Sequence, residues 1–148
     1  VSVDLPMDIG IPKTYVPHHN MRLSLYRRMA DIADESALEA LRAEFQDRFG
    51  PLPDAVAGLF YQFMVRIRAQ EAGLASVSAE GEQIVLRYPS LPEGAPARTL
   101  PNLAPLARAG KNSYWMPLSE DSTIWKASLL AVLATLIKES NLSNSVES

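Results

Sequence analysis

Apolar positions along the chain change period twice, and the changes mark out a helical segment, a strand segment and a final helix. From His18 to Ala33, Met21, Leu25, Met29 and Ile32 recur at helical spacing, joined by Leu23 and Tyr26. Pro17 suits the first turn of this helix, where a missing N–H does no harm. Arg22, Arg27 and Arg28 are left to face solvent or a partner. Asp34 to Ser36 breaks the pattern and starts a second helix. Ser36 and Glu39 have capping-box spacing, which satisfies two orphan backbone donors reciprocally. Leu38, Leu41, Phe45 and Phe49 then form a narrow apolar stripe. Gly50 suits the left-handed residue just past a helix end, and Pro51 prevents continuation. Pro53 and Asp54 open a third helix. Its stripe of Val56, Leu59, Phe60, Phe63, Met64 and Ile67 is the strongest 3.6-residue signal in the chain, and Gly73 ends it.

Strand-like segments surround this helical block. Ser2 to Ile11 is an extended lead-in, with Pro6 and Pro12 limiting any strand to an edge. Leu74 to Ala79 and Gln83 to Tyr88 read as two strands turned by Glu80-Gly81-Glu82. Pro89 to Pro105 carries five of the 11 prolines and reads as a loop with at most one short helical turn. Leu106 to Arg108 and Ser113 to Leu118 form a second hairpin around Ala109-Gly110-Lys111-Asn112. Asp121 or Ser122 caps a last helix running through about Glu139, with Trp125, Leu129, Val132, Leu133 and Leu136 on its apolar face. Asn141 to Ser148 is polar and is expected to be a disordered tail. No internal repeat is present. Helices and strands are segregated, which predicts an α+β fold: three N-terminal helices, two antiparallel hairpins forming a small sheet, and one C-terminal helix. A single domain over 1–140 and a tail over 141–148 are expected.

Composition narrows the function classes. A chain of 148 residues can build one core without a staple, and the absence of cysteine excludes disulfides, thiolate metal sites and cysteine nucleophiles. That absence fits a reducing cytoplasm. A net charge of −3 argues against a general nucleic-acid binder. No apolar run approaches the roughly 20 residues of a membrane span, and Val1 to Ile11 lacks the basic-then-apolar order of a signal peptide. A start at Val1 suits a segment of a longer polypeptide.

Candidate chemistry is sparse. His18 and His19 are adjacent, so on a helix they point about 100° apart and do not chelate one metal easily. The seven glycines are scattered and build no phosphate loop, and no Gly-x-Ser-x-Gly elbow occurs. The carboxylate pairs Asp4/Asp8, Glu80/Glu82 and Glu120/Asp121 read as solvated surface. Trp115 and Trp125 read as core residues rather than interface anchors. Arg22, Arg27, Arg28, Arg66, Arg68, Arg108 and Lys111 would touch phosphate only if several converged.

One helix face stands out. With Leu38 at zero and about 100° per residue, Leu41, Phe45 and Phe49 fall within about 60° of it. Glu44, Asp47 and Arg48 lie at about 240°, 180° and 280°, a compact polar cluster away from the stripe. Glu44 and Arg48 can form an (i, i+4) pair worth about 0.3–0.5 kcal/mol, or the cluster can serve as a charged docking face.

Longer motifs favour the second reading. Glu44-Phe45-Gln46-Asp47-Arg48-Phe49-Gly50-Pro51-Leu52-Pro53 resembles the E-L-x-D-R-F-G-x-L-P signature of the C-terminal domain of bacterial transcription-repair coupling factors, the TRCF family. Val3-Asp4-Leu5-Pro6 and Ile11-Pro12-Lys13-Thr14-Tyr15-Val16-Pro17 resemble the family's leucine-proline and I-P-x-x-Y-[IV]-P elements. Arg22-Leu23-Ser24-Leu25-Tyr26-Arg27-Arg28-Met29-Ala30 resembles its R-L-x-[LF]-Y-[KR]-R-[ILM]-A helix. The resemblance covers roughly residues 3 to 74 in consistent order. Pro89 to Pro105 departs from the longer helical segment expected of the family there.

The resemblance implies a non-catalytic regulatory domain of a larger cytoplasmic, ATP-dependent DNA translocase. That translocase removes stalled RNA polymerase and recruits nucleotide-excision repair through UvrA. It implies that this domain holds no cofactor, with ATP and Mg confined to an upstream motor. It further implies an autoinhibitory clamp. The domain would dock on the UvrB-like N-terminal module of its own polypeptide and mask UvrA binding, with Glu44, Asp47 and Arg48 as the protein-interface residues. DNA and membrane contact are not expected of it. A nucleic-acid-binding accessory domain and a purely structural cap on the motor are the alternatives.

Overall fold

A computed structural model describes residues 1–147 of the chain, with side chains through Leu142. Its elements are β1 (Ser2–Asp4), α1 (His19–Asp31), α2 (Glu35–Phe49), α3 (Asp54–Glu71), β2 (Ser76–Glu80), β3 (Gln83–Arg87), β4 (Arg108–Ala109), β5 (Ser113–Pro117) and α4 (Ser122–Glu147). They divide into two compact units, Pro6–Ile67 and a second formed by Val1–Leu5 with Arg68–Ser148.

The first unit is helical. Leu25 and Met29 of α1, Leu38, Leu41 and Phe45 of α2, and Val56, Leu59, Phe60 and Ile67 of α3 are buried in one cluster with Ile11 and Val16 of the lead-in. These are the stripe residues the periodicity selects, so each helix forms by burying one face. Phe45 stacks edge-on against Phe60 at 5.1 Å and against Phe49 at 5.9 Å, the geometry in which ring edge and ring face attract. Leu23 leaves the predicted face and is 39% exposed, because it lies two residues from both Met21 and Leu25 and a helix turns that position outward.

The helix ends correct the expected capping. α2 is capped by Asp34, whose carboxylate accepts from the Ala37 N–H at 2.8 Å, while the Ser36 hydroxyl donates to the same carboxylate at 2.8 Å. The expected Ser36/Glu39 box is therefore not the cap. An ionised carboxylate two residues earlier is the stronger acceptor for the orphan donors, and Ser36 becomes its support. At the other end Gly50 takes φ +94° and ψ −169°, a conformation that side chains disfavour. Tyr15 locks that turn: its hydroxyl lies 2.7 Å from the Gly50 carbonyl oxygen and 3.1 Å from that of Phe45, and donates to them.

The second unit holds one five-stranded sheet in the order β1-β2-β3-β5-β4. The two predicted hairpins are present, β2–β3 and β4–β5, and the antiparallel pairing of β3 with β5 joins them. The sheet is mixed rather than purely antiparallel. β1 lies parallel to β2 at one edge, with Ser2 opposite Ser76 and Asp4 opposite Ser78. Its three residues stop short of Pro6, which cannot donate to a ladder. In β3 the consecutive residues Ile84, Val85 and Leu86 are all buried, so this strand is covered on both faces.

α4 carries Trp125, Leu129, Val132, Leu133 and Leu136 as a buried stripe, as expected. Asp121 caps it through the Thr123 N–H at 2.9 Å. The helix runs to Glu147 rather than ending near Glu139. The disordered tail expected over 141–148 is thus replaced by helix as far as Glu147, and Ser148 lies outside the described residues. No Gly or Pro interrupts the stretch after Glu139, so backbone bonding continues through its polar residues. Among the described residues, no helix is long and apolar enough to cross a membrane.

Candidate functional site

The charged face of α2 is built from buried residues outward. Phe45 and Leu41 anchor the helix on the core, which fixes the rotation of the positions beside them. Glu44 is next to Phe45, and on α1 Arg28 is next to buried Met29. Core packing of the two stripes therefore brings Arg28 and Glu44 to the shared rim. The Arg28 guanidinium donates to both carboxylate oxygens of Glu44, at 2.6 and 2.9 Å, a bidentate fork. Arg48, one turn on, donates to Glu44 Oε2 at 3.0 Å and stacks over the Phe49 ring at 4.9 Å. One carboxylate thus holds two guanidinium groups. Their hydrogen bonds, Arg28's above all, lower the Glu44 carboxyl to about 2.

The arrangement stays at the surface. Side-chain exposure is 48% for Arg28, 34% for Glu44 and 40% for Arg48, so each group keeps a solvent face while its position is fixed. Beside the pair lies a groove of about 380 Å³ floored by Ile32, Ala37, Ala40 and Leu41. Asp47 is exposed and, among the described residues, makes no hydrogen bond or ion pair.

The structure thus brings Glu44 and Arg48 together, as their spacing predicts, and leaves Asp47 beside them with its carboxylate open. It adds Arg28, which periodicity alone assigns only to a solvent- or partner-facing set. The missed signal is position: Arg28 and Glu44 each border a core residue on neighbouring helices.

Two further arginines of this unit are turned onto backbone carbonyls. Arg22 donates to the carbonyl oxygens of Val16 and Pro17 at 2.8 and 3.0 Å, and Arg66 to that of Ala30 at 2.9 Å. They brace loops and helix ends instead of converging as a phosphate-binding patch. Among the described residues, no group of three or more His, Asp or Glu is placed to hold a metal ion. Trp125 is core as expected, whereas Trp115 is only half-buried. The charged face of α2 is an ordered set of exposed charges. It can present two oriented guanidinium groups and a carboxylate to a protein partner.

The TRCF domain family model matches residues 5–98. A transcription-repair-coupling factor of Mycobacterium tuberculosis (strain CDC 1551 / Oshkosh) is 31% identical over 99 residues, 66% of this chain and 8% of the relative. That of Escherichia coli (strain K12) is 33% identical over 87 residues, 59% of this chain and 8% of the relative. The chain therefore spans less than a tenth of the length of these curated relatives. A crystal structure of the C-terminal domain of transcription-repair coupling factor superposes with a TM-score of 0.73 at 21% identity, covering 94% of each chain, which shows a shared fold. With well over half of its residues matched, the chain belongs to the TRCF domain family, that of the C-terminal domain of transcription-repair coupling factors.

Proposed function

We propose that this chain is a regulatory docking module of a transcription-coupled repair factor. It packs on the UvrB-like module of its own longer polypeptide and masks the surface that binds UvrA. The translocase's engagement of stalled RNA polymerase releases it. This role is non-catalytic and belongs in the bacterial cytoplasm, with ATP handled by an upstream motor. The observation that carries the reading is the Arg28–Glu44–Arg48 array with Asp47 beside it: fixed in position, exposed, and mixed in charge. Exposed charge pairs supply register and partner choice with little net stability, which suits a lid that must open. A closed lid lowers the apparent UvrA affinity by the fraction of molecules closed.

The arginine contacts weigh against the nucleic-acid alternative. Arg22 and Arg66 are spent on carbonyl oxygens and Arg28 and Arg48 on Glu44, so few cations of the helical unit remain for phosphates. The test is Asp47→Ala in the full-length protein, since Asp47 has no contact whose loss would disturb the domain. The expected result is tighter UvrA binding in a titration, matched by deletion of the whole domain. UvrA affinity unchanged by both variants would sink the autoinhibitory reading. Loss of ATPase activity or solubility on deletion, with UvrA binding unaltered, would favour a structural cap.

A further inference from the structure

The second unit carries a surface feature unconnected with α2. Two depressions share Pro105 and Pro117 and so form one furrow across that saddle. On one side, about 360 Å³ of space is walled by the half-buried Trp115 ring and by Arg108. On the other, a smaller hollow of about 170 Å³ is lined by Leu106 and Ile124, which are 40% and 55% exposed. An apolar trough of this kind leaves large side chains in water that a monomer has no reason to expose together.

Three further observations define what would fill it. Arg108 and Trp115 are cross-strand partners in the β4–β5 ladder, so they rise from the same face of the sheet. The Arg108 guanidinium makes no hydrogen bond or ion pair among the described residues, unlike Arg87 on the same face, which Glu80 holds. And β4 is the last strand of its edge, where the alternation of the ladder turns the backbone groups of Ala109 outward, open to an extended chain. Extended shape, apolar side chains and one carboxylate satisfy all three at once. Apart from Gln83, the residues lining the furrow lie at 102–128, beyond the segment the family model matches.

We propose that this furrow binds an extended acidic peptide segment, its apolar side chains seated over the Pro105–Pro117 saddle and a carboxylate on Arg108. A nucleic-acid strand fits less well. It would bring a row of phosphates to a chain of net charge −3 and meet a single unpaired guanidinium in the furrow. A peptide needs only one charge pair there and gains the rest from apolar burial and edge pairing.

The experiment is selection of a random dodecapeptide phage library on the whole 148-residue chain, followed by titration of the enriched peptides. The expected result is enrichment of sequences with an acidic residue close to two apolar ones. Arg108→Glu should weaken these peptides by about fivefold, the upper range for an exposed pair, and turn a fresh selection toward basic peptides. Ile124→Asp should weaken them by about tenfold through lost apolar contact. Both residues are exposed, so both variants keep the fold, which far-UV circular dichroism checks. No enrichment, enrichment indifferent to both substitutions, or tighter binding of an oligothymidylate than of any selected peptide would each overturn the proposal.

Discussion

Replacing Glu44 by Gln isolates the energetic role of the charged array. The amide keeps the size of the side chain and removes the charge that holds Arg28 and Arg48. In the folded chain the Glu44 carboxyl is lowered from 4.5 to about 2, first by the hydrogen bonds of Arg28 and then by those of Arg48. Taken at face value such a shift corresponds to about 3 kcal/mol. The side chain is 34% exposed, however, and water screens the pair, which reduces the expected contribution to about 1 kcal/mol. The sign follows from linkage. A depressed carboxyl binds its proton less readily in the folded than in the unfolded chain, so its contribution is complete above about pH 4.5. It is then lost as pH falls toward 2. Urea unfolding of wild type and Glu44→Gln, followed by far-UV circular dichroism between pH 7 and pH 2.5, measures it. The variant should be less stable by about 1 kcal/mol at pH 7, and the difference should shrink steadily below pH 4.5. A difference that holds constant across that range would show that the array contributes packing rather than charge pairing, and would refute the reasoning.

Two other perturbations test the turn that ends α2. Tyr15→Phe removes the hydroxyl that reaches the Gly50 and Phe45 carbonyls and should lower stability by about 1 kcal/mol in the same urea assay. Gly50→Ala meets no atom within 4 Å yet must adopt φ +94°, so it should cost about 1–3 kcal/mol through backbone strain alone. Because Tyr15 bonds to Gly50 itself, the double variant should lose less than the sum of the two, a non-additivity a thermodynamic cycle reads directly.

How far these features could be read from the chain depends on whether their cause is local. The stripes of α2, α3 and α4 were legible because a helix of fixed pitch places Leu38, Leu41 and Phe45, or Leu129, Leu133 and Leu136, on one side whatever packs there. The hairpins were legible from their turns at Gly81 and Gly110, flanked by strand-forming runs. The parallel pairing of β1 with β2 was not, since nothing near Ser2–Asp4 encodes a partner more than 70 positions away. The end of α4 was misplaced because polarity is only a weak signal for stopping a helix that already has a buried stripe. The cap of α2 moved from Ser36 to Asp34 because both residues can cap, and only the backbone conformation decides between them. At the candidate site, Glu44 and Arg48 belong to one helix and their spacing revealed the pair. Arg28 lies on another helix, and only the packing of two stripes puts it there.

That distribution of contacts bears on what the array can offer a partner. Glu44 accepts three hydrogen bonds from its own domain, so its carboxylate is largely committed before any docking. Its work is to orient two guanidinium groups, which would otherwise sample many rotamers, at a cost in entropy already met by folding. The groups left to meet a partner are the solvent faces of Arg28 and Arg48 and the whole of Asp47. Asp47 and Glu44 are therefore not equivalent members of one cluster. On the proposed docking, removing Asp47 would take away a contact that only the docked state uses. Removing Glu44 loosens α1 against α2 and frees both arginines, so its effect on docking mixes lost order with gained positive charge. A partner face that reads this surface must offer both signs of charge in register, and a shift of one helical turn would set like charges together. Register, more than strength, is what a fixed, exposed array of this kind can specify.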